Sequence, residues 1–212
     1  MLIYIVIPTY NEEKTIFKII TQVLKYSKNI IIVDDCSTDK TKDIIKKFPV
    51  NIIDNDNNIG YTKTIEKGII ASFNMGADYV ITFDADGQHR ASDLKKFISV
   101  IKKKKPDLVI GNRSFKNRFM EEIFGIYAKL RYSFSDPLCG MKAYKKSLFK
   151  KYGCLERRYS IATELTFRAI KDGVSFVEIL IKSEKRQAQS RFANNLKGNL
   201  LELQALLNIL FI

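Results

Sequence analysis

Across the first 111 residues, five short apolar runs alternate with stretches whose apolar residues recur at helical spacing. The runs are "LIYIVIP" at 2–8, "NIIIVDD" at 29–35, "VNIID" at 50–54, "YVITFD" at 79–84 and "DLVIG" at 107–111. The first of them, "LIYIVIP", is unbroken and suits a strand buried on both faces, as in a parallel sheet covered by helices above and below. Asn11 is expected to cap a helix carrying Ile16, Ile19, Ile20, Val23 and Leu24. Ser37, Thr38 and Asp39 open a second helix, Gly60 precedes a third that carries Ile65, Ile69, Ile70 and Phe73, and a fourth spans 92–103. This βαβαβαβαβ order predicts an α/β fold with a mainly parallel, doubly wound sheet flanked by helices.

In such sheets ligands bind beyond the carboxyl ends of the strands. Three of those ends are polar here: Thr9-Tyr10-Asn11-Glu12, Asp34-Asp35 and Asp84-Ala85-Asp86. The topology therefore brings them to one place. Paired carboxylates separated by one residue suit a hard divalent cation, which keeps water ligands and bridges to diphosphate oxygens. Several other chemistries of α/β sheets lack their motifs. The chain has no GxxxxGK[ST] loop, no GxGxxG after the first strand, no GxSxG elbow and one histidine, His89. A phosphoacceptor receiver would also carry strand-end acids, but in about half this length and without Asp-Ala-Asp. His89 is expected to be a turn residue making one local hydrogen bond.

After Ser114 the pattern changes. Residues 115–134 form a basic, aromatic-rich helical stretch with Phe119, Ile123, Tyr127 and Leu130 on one stripe, suited to packing on the sheet or lying on a membrane surface. The segment "SDPLCGMKAY" reads as a turn, "YSIATELTFRAIKDG" as a helix and "VSFVEILI" as a late strand. These make one domain over 1–195, followed by an apolar helix over 196–212. The net charge of +13 fits solvated lysine faces such as 102–105, with a remaining pull toward nucleotide phosphates or anionic lipid. No nucleic-acid-binding motif is present, so nucleic acid is not an expected partner. Three scattered cysteines, Cys36, Cys139 and Cys154, point to a reducing compartment without disulfides. Neither a signal peptide nor a membrane-spanning segment is expected.

Four segments in order, "IVIPTYNEEKTI", "IIVDDCSTDKT", "DADGQH" and "IGNRS", resemble the family-2 glycosyltransferases of GT-A fold, and most closely the polyprenyl-phosphate sugar synthases. The resemblance covers about residues 2–191. It implies a nucleotide-diphospho-sugar transferase fold and a donor linked to GDP or UDP. Pro8, Tyr10, Glu12 and Asp35 would then hold the nucleoside, with Asp34 structural. Asp84, Asp86 and Gln88 would hold Mg²⁺ or Mn²⁺ and the diphosphate, Asp86 most directly. Arg113 would contact the phosphate of a polyprenyl acceptor. "DPLCGMKAY" resembles an acceptor loop, carrying Asp136 and Gly140, and "EKRQAQSRF" a further phosphate-binding segment, carrying Ser190 and Arg191. The departures are Arg90-Ala91 where relatives have two prolines, Gln187 in place of an arginine, and Cys139 in place of a serine. The implied reaction is an inverting transfer at the cytoplasmic membrane surface, with peripheral membrane contact. A phosphate acceptor needs no strong base; a sugar hydroxyl would need one, with Asp136 or Glu164 as candidates.

Overall fold

The computed structural model describes residues 1–116, 118–184 and 195–212. The first half follows the apolar alternation: β1 (Ile3–Thr9), α1 (Ile16–Val23), β2 (Ile30–Asp34), α2 (Thr41–Ile45), β3 (Asn51–Asp54), α3 (Tyr61–Asn74), β4 (Tyr79–Thr82), α4 (Leu94–Lys104) and β5 (Leu108–Arg113). The second half adds α5 (Phe119–Tyr132), β6 (Lys142–Lys145), α6 (Lys146–Tyr152), α7 (Glu164–Lys171), β7 (Phe176–Ile181) and α8 (Asn195–Leu210). Every residue of β1, β2 and β4 is buried, as unbroken apolar runs require. One core cluster lies on each side of the sheet: Val6, Val33 and Ile69 belong to one, and Ile5, Ile7 and Ile20 to the other.

The strand order is β3-β2-β1-β4-β6-β5-β7. The pairs β1–β2, β2–β3, β1–β4 and β5–β7 are parallel. Strands β4 and β5 follow one another in the chain but are not neighbours: β6 lies between them, antiparallel to both. Ala143 pairs with Ile81 on one side and Val109 on the other. This strand carries lysine at both ends, which hides it within a segment that reads as a turn. It adds the antiparallel pairings of a sheet that is otherwise parallel, as expected, and brings the 135–142 loop to the ends of β4 and β5.

Local corrections have local causes. Asn11 does not cap α1; it has a left-handed φ of 53° and its Oδ1 accepts from the Thr38 amide at 2.8 Å, tying the first loop to the second. The α5 stripe is offset. Glu121, Phe124, Gly125 and Ala128 face inward, while Phe119 and Leu130 are 70% and 84% exposed. Glu121 is buried because two arginines meet it, a pairing that apolar periodicity does not register. The segment read as one helix from residue 159 begins at Glu164, since Ile161 and Ala162 both have left-handed φ angles of 55° and 58°. Helix α8 packs on α5, and Ala205, Leu206 and Ile209 join the core that holds Phe124 and Ala128. All three cysteines are free thiols. Among the described residues, no helix is long and apolar enough to cross a membrane.

Candidate active site

The ends of β1, β2 and β4, the loop before β6, and the first turns of α3 and α8 enclose a cleft of about 520 Å³. Pro8, Tyr10, Glu12, Asp35, Asp84, Asp86, Gln88 and Arg113 all line it. Ser190 and Arg191 lie outside the described residues.

At one end sits Asp35, whose carboxylate is built into the wall. Its Oδ1 accepts from Asn55 Nδ2 and the Ile59 amide, both at 2.9 Å, and its Oδ2 accepts from the Gly60 amide at 2.9 Å. Gly60 can turn this amide inward because its φ of 88° is open to glycine. Asp34 is structural: Ser37 donates to it through both its amide, at 2.9 Å, and its hydroxyl, at 2.5 Å. Glu12 is buried beside Thr15, whose hydroxyl donates to the Ala85 carbonyl at 2.7 Å. That bond crosses 70 residues of sequence and fixes the first loop against the Asp-Ala-Asp segment.

The two acids of that segment have different surroundings. Asp84 accepts from the Tyr61 hydroxyl at 2.8 Å through Oδ1, and its Oδ2 lies 3.1 Å from His89 Nε2. Burial works to raise its pKa, but His89, Tyr61 and the charge of Arg113 together hold it below the ordinary aspartate value. Tyr61 is pushed the other way, well above the ordinary phenol value, by burial of its hydroxyl and by the Asp84 charge, so it remains a donor. Asp86 accepts from the Gln88 amide at 3.0 Å. Gly140 passes directly over Asp84: a Cβ there would lie 2.0 Å from Oδ2, so a side chain has no room. His89 makes the single local hydrogen bond expected of it, and the partner is a carboxylate of the candidate metal pair.

At the far end, Arg113 forms a two-point pair with Asp136, Nε to Oδ2 at 2.7 Å and Nη2 to Oδ1 at 2.9 Å, and lies 3.3 Å from Glu121. Burial opposes the guanidinium charge, but Asp136 and Glu121 raise its pKa above the ordinary arginine value. Arg118 pairs with Glu202 of α8 at 2.7 Å. Neither acid considered as a base is free for that task. Asp136, 1% exposed, is consumed by Arg113. Glu164 is not in the cleft wall; its Oε2 accepts from the amides of Arg157 and Arg158 at 2.7 and 2.9 Å, holding the loop before α7. Cys139, at the usual serine position, is a buried thiol pushed up to about 12 by burial and is inert at neutral pH.

Sequence reasoning missed Tyr61, Arg118, Glu121, Lys142 and Glu202 as lining residues. Each lies on a helix or strand, or in the case of Arg118 just before α5, whose place in the site depends on packing. Ile161 and Ala162 were also hidden. Their strained backbone, held by Glu156 accepting from the Ser160 and Ala162 amides at 2.9 Å, lines the apolar side of the cleft with Leu138 and Leu201.

The cleft carries an excess of acid. Among its described lining residues, Glu12, Asp35, Asp84, Asp86, Glu121 and Glu202 outnumber Arg113, Arg118 and Lys142. A diphosphate entering such a cleft needs a compensating cation. No group of three His, Cys, Asp or Glu side chains is arranged to hold an ion among the described residues. Two carboxylates at a strand end still fit Mg²⁺ or Mn²⁺, which take one or two protein acids and complete their shell with substrate phosphates and water.

The family model described as glycosyl transferase family 2 matches residues 4–153. The UDP-N-acetylglucosamine–dolichyl-phosphate N-acetylglucosaminyltransferase of Methanococcus voltae is 30% identical over 214 residues, which cover 86% of this chain and 85% of that protein. The polyprenol monophosphomannose synthase of Mycolicibacterium smegmatis is 25% identical over 208 residues, 86% of this chain and 77% of that protein. Among solved structures, glucosyl-3-phosphoglycerate synthase from Mycobacterium tuberculosis, in complex with Mn²⁺, UDP and glucosyl-3-phosphoglycerate, superposes with a TM-score of 0.79 at 15% identity, over 99% of this chain and 78% of that one. At that identity the likeness is one of fold.

Proposed function

The chain belongs to glycosyl transferase family 2, and from that premise we propose that it moves a sugar from a nucleoside-diphosphate donor to the phosphate of a polyprenyl lipid. The observation that carries this is the division of one cleft into an acidic end, Asp84 and Asp86, and an end with two paired arginines, Arg113 and Arg118, along an apolar wall. Pro8, Tyr10, Glu12 and Asp35 border the nucleoside. Asp86, with Asp84, would hold Mg²⁺ or Mn²⁺, which when bound supplies neutralising charge for the departing diphosphate. Tyr61 and His89 keep the Asp84 carboxylate oriented. At the far end, Asp136 holds Arg113 in place to donate to the acceptor phosphate.

A phosphate oxygen of the acceptor attacks the anomeric carbon as the bond from that carbon to the diphosphate oxygen breaks, inverting the configuration. The electron pair leaves with the diphosphate. A lipid monophosphate is already an anion at neutral pH, so this reaction asks no base of the protein. Asp136 and Glu164, both tied to other groups, are consistent with that. The surface agrees with a lipid acceptor: Ile126 and Leu130 of α5, and Leu200, Leu207 and Phe211 at α8, are exposed beside Lys129 and Arg131. On a chain of charge +13 such a face suits peripheral contact with an anionic, cytoplasmic membrane surface.

One observation favours a second reading, transfer to a sugar hydroxyl. Among the described residues, Glu202 Oε2 is buried without a hydrogen-bond partner in the cleft wall, and burial pushes its carboxyl above the ordinary glutamate value. That is the character of a general base. Glu202→Gln separates the two: a phosphate acceptor predicts turnover within about threefold of the native chain, whereas a base role predicts a loss on the order of 10²–10⁴. The proposal itself is tested by incubating the chain with Mn²⁺, labelled UDP- or GDP-sugars and micellar polyprenyl phosphate. Label extracted with the lipid is expected. Label appearing only on a saccharide acceptor would overturn the lipid assignment.

A further inference from the structure

We infer that Lys142 is a specificity-determining contact for the transferring sugar, donating from its ammonium to sugar oxygens between the Asp84–Asp86 end and the Arg113 end of the cleft. This rests on the donor reading above. Lys142 opens β6, the strand that sequence periodicity does not reveal, and it is 3% exposed on the cleft wall. Its backbone is locked: the amide donates to Thr82 Oγ1 at 3.1 Å, beside Gly140 and the acid it covers. Its side chain is less well served. Nζ donates to the Pro137 carbonyl at 2.8 Å, and no carboxylate lies within ion-pair distance among the described residues. An ammonium has three N–H donors, so two remain for a ligand.

Buried lysines without an acidic partner are rare because desolvating the charge is costly. Burial pulls this one down to about 8, so most of it is still ammonium at neutral pH. The charged groups that act on it are Asp136 and Arg113 from the acceptor side, and Asp84 from the donor side. Its amide is held by Thr82, two residues before Asp84, and its Nζ by the carbonyl of Pro137, next to Asp136, so it sits between the two ends. A sugar passing from a diphosphate at Asp86 to a phosphate at Arg113 must cross that interval. Its hydroxyl or acyl oxygens are the acceptors such an ammonium lacks, and the adjoining Leu138 and Ile161 supply apolar contact for a ring face.

The test compares binding of a nucleotide with binding of the same nucleotide carrying a sugar. Calorimetric titrations with Mn²⁺ would use UDP against UDP-glucose and UDP-N-acetylglucosamine, and GDP against GDP-mannose, on the native chain and on Lys142→Met. The expected result is nucleotide affinity within about twofold of native, and a ratio of nucleotide-sugar to nucleotide dissociation constants raised about tenfold or more, the scale of a lost charged hydrogen bond. A lysine that only supports the Pro137 loop would weaken both ligands together and leave the ratio unchanged, which overturns the assignment. So does a variant that binds both as the native chain does. If the methionine variant does not fold, Lys142→Gln gives the same ratio with the charge removed. A native chain that binds nucleotides but no nucleotide sugar sinks the donor reading, and this inference with it. Native binding of a nucleotide sugar with an unchanged ratio in the variant removes Lys142 alone.

Discussion

Replacing Asp86 with alanine is expected to lower metal-dependent sugar transfer on the order of 10³-fold while leaving the chain folded. The expected size follows from the several kcal/mol that a divalent ion contributes to a developing anionic leaving group, at 1.36 kcal/mol per factor of ten. The fold should tolerate the change because Asp86 lies in the turn after β4, outside the strand pairings. Its carboxylate accepts from the Gln88 amide in the turn after β4, and losing that bond costs about 1 kcal/mol. The structure separates this residue from Asp84, where the same substitution would strand Tyr61 and His89 and open the space under Gly140. Mn²⁺-dependent nucleotide affinity should fall together with turnover, whereas metal-free affinity should not. Transfer by Asp86→Ala at the native rate and the same Mn²⁺ concentration would remove Asp86 from the metal site.

The second large effect is on stability. Asp136→Ala leaves the Arg113 guanidinium buried with its two-point partner gone. Breaking a buried pair from one side costs about 3–5 kcal/mol. In a domain of this size that corresponds to a fall in Tm of roughly 10 °C. Glu121, 3.3 Å away, absorbs part of the stranded charge and pulls the effect toward the lower figure. The double variant Asp136→Ala/Arg113→Met should melt above the single variant, because it removes the uncompensated charge. A single variant that melts with the native chain would refute the pair's structural role. The acid limb offers an independent readout. Burial alone would raise the Asp136 pKa, but Arg113 outweighs it and holds the carboxyl below its ordinary 3.8. A group depressed in the folded state contributes its full stability above the unfolded value and loses it as pH falls through the folded one. The native chain should therefore lose stability progressively below about pH 4, and the Asp136→Ala chain should lose less over that interval.

Much of the site was legible because its acids sit at the ends of strands whose burial is written locally. An apolar run followed by Asp-Ala-Asp needs no distant information to be read as a strand ending in a carboxylate pair. The same is true of Arg113 at the end of β5. What those groups touch is another matter. Tyr61 was an unremarked first-turn residue of α3 until α3 packed beside β4 and its hydroxyl met Asp84. Glu121 lay on a helix whose apolar stripe pointed elsewhere, and inside the fold Arg113 and Arg118 meet it. Asp136 and Glu164 read as available bases because the sequence carries no sign of the amides and guanidinium that occupy them.

The sequence by itself determined the α/β alternation, the burial of β1, β2 and β4, the gathering of polar strand ends and the family. All of these follow from short-range periodicity and from motifs whose residues are neighbours. Only the tertiary structure decided that β6 enters the sheet between β4 and β5, and with it the positions of Gly140 over Asp84, Lys142 in the cleft wall and Asp136 against Arg113. Four residues bounded by lysines have no pattern of their own. Their place is chosen by the backbone hydrogen bonds that two flanking strands leave open, a property of the assembled sheet.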